Sequence, residues 1–233
     1  MKDSAKNSSA KEQVGMAAAN LVEDRMLVGL GTGSTAAFVI QRLGARIAND
    51  GLQIQCVTTS FQSTLLARQA GIPLLGLDSV TRLDISIDGA DEIDPDLHLI
   101  KGGGAAHTLE KIVHALSDRF IVVADESKLS PFLGQNFAVP LEVLPAGRLL
   151  VERELQRLGA REIQLRMAQR KDGPVISDNG NMILDARFER FNPLELEQQL
   201  DAIPGVVACG IFARYRPARG DCLIGQAGGV RQL

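Results

Sequence analysis

At 233 residues the chain has room for one large domain or two small ones with a sizeable core. A net charge of −3 and an aromatic content of 4%, with no Trp, give no case for a nucleic-acid partner, which selects basic and base-stacking surfaces. No apolar run approaches the ~18 residues that cross a membrane. The polar start "MKDSAKNSSAKEQ" has no apolar signal core. Cys56, Cys209 and Cys222 lie far apart without CxxC spacing, which argues against a disulfide framework or a zinc site and fits a reducing cytoplasm.

The first half alternates between helix and strand patterns. Val14, Ala17, Ala18, Leu21 and Val22 have helical spacing, and "MLVGL" (26–30) reads as a short buried strand. "GTGST" follows, then a helix with Ala36, Val39, Ile40, Leu43 and Ile47 on its apolar face. "IQCVT" (54–58) predicts a second strand and "FQSTLLARQAG" a helix stopped by Gly71. "PLLGL", "LDISI" and "FIVVA" predict further strands, with the helix "HTLEKIVHALSD" before the last. Strands alternating with helices predict an α/β fold on a parallel sheet with right-handed crossovers.

After about residue 130 the pattern changes. "FAVPLEVLP" predicts a strand, "AGRLLVERELQRLG" an amphipathic helix, and "EIQLRMA" another strand. "VISDNGNMILDA" places Asn179-Gly180 between two strand-like runs, a hairpin signal. "PLELEQQLDAI" predicts a helix stopped by Pro204-Gly205. This order implies a small α+β unit with an antiparallel sheet. "VVACGIFA" (206–213) has a buried-strand pattern that suits either layer.

Three strand ends carry chemistry. "GLGTGSTA" (29–36) follows a strand and opens a helix, where free N–H groups and the helix dipole hold anions. Gly31, Gly33 and Ala36 also satisfy the dinucleotide fingerprint, but the second strand ends in Thr58, Thr59 and Ser60 where that reading needs an acid. Those hydroxyls suit a phosphate ester or a sugar. "KGGGAAHTLEK" (101–111) repeats strand, glycines and helix, with Lys101 at the strand end and Glu110 early in the helix. "VADESKLS" (123–130) ends a third strand with Lys128. Between them, "SIDGADEID" (86–94) crowds four carboxylates after an alternating strand. We expect Asp88 and Asp91 to point inward, and Glu92, Asp94 and Asp96 to lie in water. His98, His107 and His114 have no metal-ligand spacing and read as structural.

In order and spacing, "GLGTGSTA", "SIDGADEID", "KGGGAA" with Glu110, and "ADESK" resemble ribose-5-phosphate isomerase, type A; "VISDNGNMILD" and "IPGVVACGIFA" resemble its later segments. The resemblance implies a Rossmann-like catalytic domain, placed at 1–130 plus 206–233, and a small α+β, ferredoxin-like domain at 131–205. It implies interconversion of D-ribose 5-phosphate and D-ribulose 5-phosphate in the pentose phosphate pathway, without metal or other cofactor. It also implies a small-molecule phosphosugar substrate, no nucleic-acid or membrane partner, and a cytoplasmic homo-oligomer, a homodimer being favoured. By motif, Glu110 resembles the base, with Asp88, Asp91 and Lys101 beside it in the reaction. Thr32, Gly33, Ser34 and Thr35 resemble one substrate loop, Asp88, Gly89, Ala90 and Asp91 a second, and Lys101, Gly102, Gly103 and Gly104 a third. Lys128 matches the lysine of the "ADESK" segment, and Lys11 resembles an N-terminal family lysine. Which loop takes the phosphate stays open at this point. A sugar-phosphate sensor without enzymatic activity, or another phosphosugar enzyme of related fold, is the alternative. "ARYRPARGDC" (213–222) is longer than the family's usual turn.

Overall fold

The structure is a computed structural model and describes residues 8–233; the first seven residues of the expected first domain, and of the polar start, lie outside the described residues. In chain order the helices are α1 (Ser8–Ala19), α2 (Ser34–Asp50), α3 (Phe61–Gln69), α4 (His107–Leu116), α5 (Arg148–Arg157) and α6 (Pro193–Asp201). The strands are β1 (Leu27–Leu30), β2 (Gln55–Thr58), β3 (Ile85–Asp88), β4 (Glu92–Ile93), β5 (Leu99–Ile100), β6 (Phe120–Asp125), β7 (Val139–Val143), β8 (Glu162–Leu165), β9 (Met182–Arg187), β10 (Val206–Cys209), β11 (Ile211–Phe212), β12 (Cys222–Gln226) and β13 (Gly229–Gln232).

The chain divides into two compact units. The first holds the chain up to Ala90, Leu109–Lys128 and Pro217–Leu233. Its sheet runs β13-β12-β6-β3-β1-β2. All neighbours are parallel except β12 and β13. β3 and β6 are buried along their whole length, as expected of strands covered on both faces. α2 turns Ala36, Val39, Ile40 and Leu43 into the core and ends at Gly51, whose left-handed φ of 73° provides the helix stop. α3 starts on a capping box between Ser60 and Ser63. The core joins Val14, Val22, Val28, Val39, Ile40, Leu43, Ile85, Ile87 and Ile121.

The second unit holds Asp91–Thr108 and Leu129–Arg216. Its order β7-α5-β8-β9-α6-β10, with sheet order β10-β7-β9-β8 and antiparallel pairing throughout, is the ferredoxin-like arrangement. Val139, Leu141 and Val143 of β7 pack with Val151 and Leu155 of α5 and Leu196 and Leu200 of α6. A separate small sheet runs β11-β5-β4.

The boundaries differ from those expected. Residues 206–213 do not join the parallel sheet: β10 pairs with β7 and β11 with β5, because Val206 and Cys209 complete the small unit's core. Residues 91–108 and 129–130 also belong to that unit. "PLLGL" is not a strand; it makes one bridge, Cys56 to Leu74, and leads into a 3-10 turn at Leu77–Ser79. Asn179-Gly180 does turn the chain, with Gly180 at φ 83°, but only β9 forms a full strand; the residues before the turn make single bridges. Among the described residues no helix is long and apolar enough to cross a membrane.

Candidate active site

In the first unit, β3 lies between β1 and β6, so the three strand ends that carry polar residues are neighbours. β1 runs into Gly31, and a Cβ there would overlap the Asp88 carboxylate, so only glycine permits this approach. Asp88 is fully buried, and its Oδ1 accepts from the amides of Thr32 (3.0 Å) and Gly89 (2.7 Å). Ala90, next in this loop, is half-buried. The Thr32 hydroxyl donates to Ser60 Oγ (2.7 Å) and, its one proton so used, accepts from the Thr59 hydroxyl (2.8 Å). Gly33, at φ 105°, starts α2 without a side-chain cap, with Ser34 exposed and Thr35 buried behind it. The first turn of this 17-residue helix therefore keeps its N–H donors for an outside acceptor.

The end of β6 holds Asp125, which accepts from the amide and hydroxyl of Ser127 and lies 3.9 Å from Lys11 Nζ. Lys128 closes the 3-10 turn Glu126–Lys128 and is half-buried. Glu110, in the first turn of α4, is 5% exposed. One turn further on, the His114 ring reaches Ser86 Oγ (3.1 Å) and Asp88 Oδ2 (3.4 Å). His114 was not among the residues singled out for chemistry, although its i+4 spacing from Glu110 marks one helix face.

In the second unit the second glycine loop is held by charges. The amide of Gly103 donates to Asp91 Oδ2 (2.7 Å). A Cβ on Gly103 would meet that carboxylate at 2.7 Å. Arg166 donates to the Gly102 carbonyl (2.8 Å) and pairs with Asp185; no motif pointed to Arg166. Gly104 follows, then Ala105 in the left-handed region at φ 60°, a conformation that costs a non-glycine residue about 1–2 kcal/mol. Lys101 is 2% exposed, its Nζ 5.6 Å from the centre of the Phe212 ring. A cation placed over a ring face and removed from water exerts a strong local field.

The remaining carboxylates are not solvated as expected. Glu92, 1% exposed, accepts from the amides of Gly134 (2.6 Å) and Asn136 (2.8 Å). Asp94 caps the turn that follows, accepting from the amides of Asp96 and His98 and from the His98 ring. Of the three, only Asp96 is exposed. Buried Glu142 draws Thr108, Ser177, Asn179 and Asn181 together. Burial alone would raise its pKa, but hydrogen bonds from Thr108, Asn181, Ser177 and Asn179 outweigh burial and hold it below the ordinary glutamate value.

Uncapped amides, hydroxyls and carboxylates at the ends of parallel strands are the setting in which open α/β sheets bind small polar ligands. A family model described as ribose 5-phosphate isomerase A (phosphoriboisomerase A) matches residues 55–229, and the chain belongs to that family. It is 53% identical over 204 residues to ribose-5-phosphate isomerase A of Synechococcus sp., covering 87% of this chain and 88% of the relative. The solved ribose 5-phosphate isomerase A of Methanocaldococcus jannaschii superposes with a TM-score of 0.92 at 45% identity, covering 97% of this chain and 99% of that one. A D-ribose-5-phosphate isomerase solved in complex with phospho-erythronic acid also gives 0.92, at 44% identity and 97% coverage of both chains.

Proposed function

We propose that the protein interconverts D-ribose 5-phosphate and D-ribulose 5-phosphate through an enediolate, in the non-oxidative pentose phosphate pathway. The observation that carries this reading is the carboxylate of Glu110, 5% exposed in the first turn of α4 just beyond the triple-glycine loop. Isomerisation takes a proton from the carbon beside a carbonyl and returns it to the neighbouring carbon. One carboxylate performs both transfers, provided bulk water does not exchange the proton between them.

Lys101 is proposed as the cation opposite the oxygen that gains negative charge, a role its burial strengthens. Asp88 and Asp91 are proposed to bind sugar hydroxyls and to move protons during ring opening. Gly89 and Ala90, and Gly102, Gly103 and Gly104, shape the loops that carry these groups. For the phosphate we propose Thr32, Gly33, Ser34 and Thr35, because the uncapped start of α2 presents amides and a helix dipole to an anion. Lys128 adds positive charge. The reaction as written needs no redox cofactor, since the aldose loses at one carbon what the ketose gains at the next. A cytoplasmic homodimer is proposed on the family resemblance, and the three buried free cysteines fit a reducing compartment.

Conversion of ribose 5-phosphate, followed by the appearance of ketose with a chelator present, tests the reading. Steady turnover is the expected result, and its absence from folded protein overturns it.

A further inference from the structure

Glu110 and His114 stand four residues apart on α4 and so share one helix face, and both are buried. On the strand side, Ser86 and Asp88 stand two apart on β3 and so share one sheet face. His114 meets both: Nδ1 lies 3.1 Å from Ser86 Oγ and Nε2 lies 3.4 Å from Asp88 Oδ2. Its ring is stacked on Phe120 of β6, with centroids 3.6 Å apart and planes inclined by 19°. Strand, neighbouring strand and helix thus fix both the place and the tilt of the imidazole. The other oxygen of Asp88 accepts the Thr32 and Gly89 amides.

We propose that His114 is a positioning residue for the isomerisation: it orients the Asp88 carboxylate and ties it to the helix that carries Glu110. The proposal rests on the isomerase reading above. With the ring proton on Nε2, the Ser86 hydroxyl donates to Nδ1 and the Nε2 N–H faces Asp88 Oδ2 across 3.4 Å. With two amides on Oδ1 and the imidazole at Oδ2, the carboxylate plane cannot rotate without breaking a contact. The same ring sets the register between β3 and α4, and hence between Asp88 and the base one turn away. A carboxylate displaced by about 1 Å loses on the order of a hundredfold in rate.

His114→Leu fills a similar volume but removes both ring nitrogens. It is expected to lower kcat on the order of a hundredfold with KM little changed, because ground-state phosphate contacts stay in place. His114→Gln restores an N–H near the Nε2 position and should return to within about fivefold of the parent, since a donor to a charged acceptor is kept. Thermal melts show that each variant is folded; if His114→Leu fails to fold, the glutamine variant decides. In protein with 15N-labelled histidine, Asp88→Asn should move the His114 Nε2 resonance, a readout that needs no turnover. Undiminished kcat in folded His114→Leu, a glutamine variant as poor as the leucine one though folded, or an unmoved resonance would overturn the positioning role. Failure of the parent protein to convert ribose 5-phosphate sinks the isomerase reading instead, so the two failures are distinguishable.

Discussion

The two glycine loops read alike as strings, each a strand end, a run of glycines and a helix, yet they are held by different forces. Gly31–Thr35 is held by neutral groups around one carboxylate: the Thr32 amide on Asp88, and the Thr32 hydroxyl on Thr59 and Ser60. Its helix start is uncapped. Lys101–Gly104 is held by charge, with Asp91 on one amide and Arg166 on a carbonyl, and it carries its own buried cation. A neutral frame leaves a helix dipole unscreened for an anion. A charged frame holds the loop that carries a buried ammonium. On the proposed reading the first loop binds and the second reacts.

That division breaks most visibly at the base. Glu110→Gln is expected to lower kcat by about 10²–10⁴-fold while ribose 5-phosphate still binds, measured by turnover alongside calorimetric titration. Near-normal turnover would remove Glu110 from the role. Lys101→Ala should lower kcat by about a hundredfold or more with a smaller change in KM; a change in KM alone would move Lys101 to the binding side. Gly31→Ala drives a methyl group into Asp88 and should cost about 1–3 kcal/mol of stability together with activity, read by denaturant melts and kinetics on the same sample. Thr32→Val removes the hydroxyl network while keeping shape. Its expected effect is a KM raised about tenfold with kcat nearly intact, which assigns the first loop to binding.

The smallest effect concerns pH. Glu142 has a folded pKa below its unfolded one, so its contribution is present above the ordinary glutamate value of ~4.3 and is lost as pH falls through and below it. Thr108, bound to Glu142, lies four residues beyond Gly104 at the start of α4. Melting temperature measured across that acid range should fall less steeply in Glu142→Gln than in the parent. Parallel acid limbs would show that this carboxylate does not link the second loop's unit to pH.

Local features were legible because their physics is local. Gly33 and Gly102 announced loops through positive φ and Gly103 through its close approach to Asp91, and Gly71 ended a helix at positive φ. Asp88 was expected inward and is fully buried, but on the face of β3 opposite Ile85 and Ile87, because both faces of this strand are covered. Partners far along the chain were not legible. Glu92 looked solvated because its acceptors' donors, Gly134 and Asn136, lie 42 and 44 residues away. "VVACGIFA" suited either sheet, since a buried-strand pattern records burial and not the neighbour. The arm before Asn179-Gly180 read as strand-like, yet β9 spends its ladder bonds on β7 and β8, leaving that arm single bridges. His114 carried only its spacing from Glu110; that its ring meets Asp88 and Ser86 depends on how α4 packs on β3.

The sequence by itself determined the alternation of helix and strand, the two glycine loops, the crowded carboxylates and the family to which they belong, because periodicity, glycine geometry and motif spacing are written within a few turns of chain. Tertiary structure alone decided which unit receives 91–108 and 206–216, and which amides each carboxylate accepts. It also decided which residues, Arg166 and His114 among them, touch the loop and strand that carry the proposed reactive groups. Burial and hydrogen-bond satisfaction are properties of the folded surroundings, and the donors that satisfy a buried charge are chosen by packing rather than by proximity in sequence.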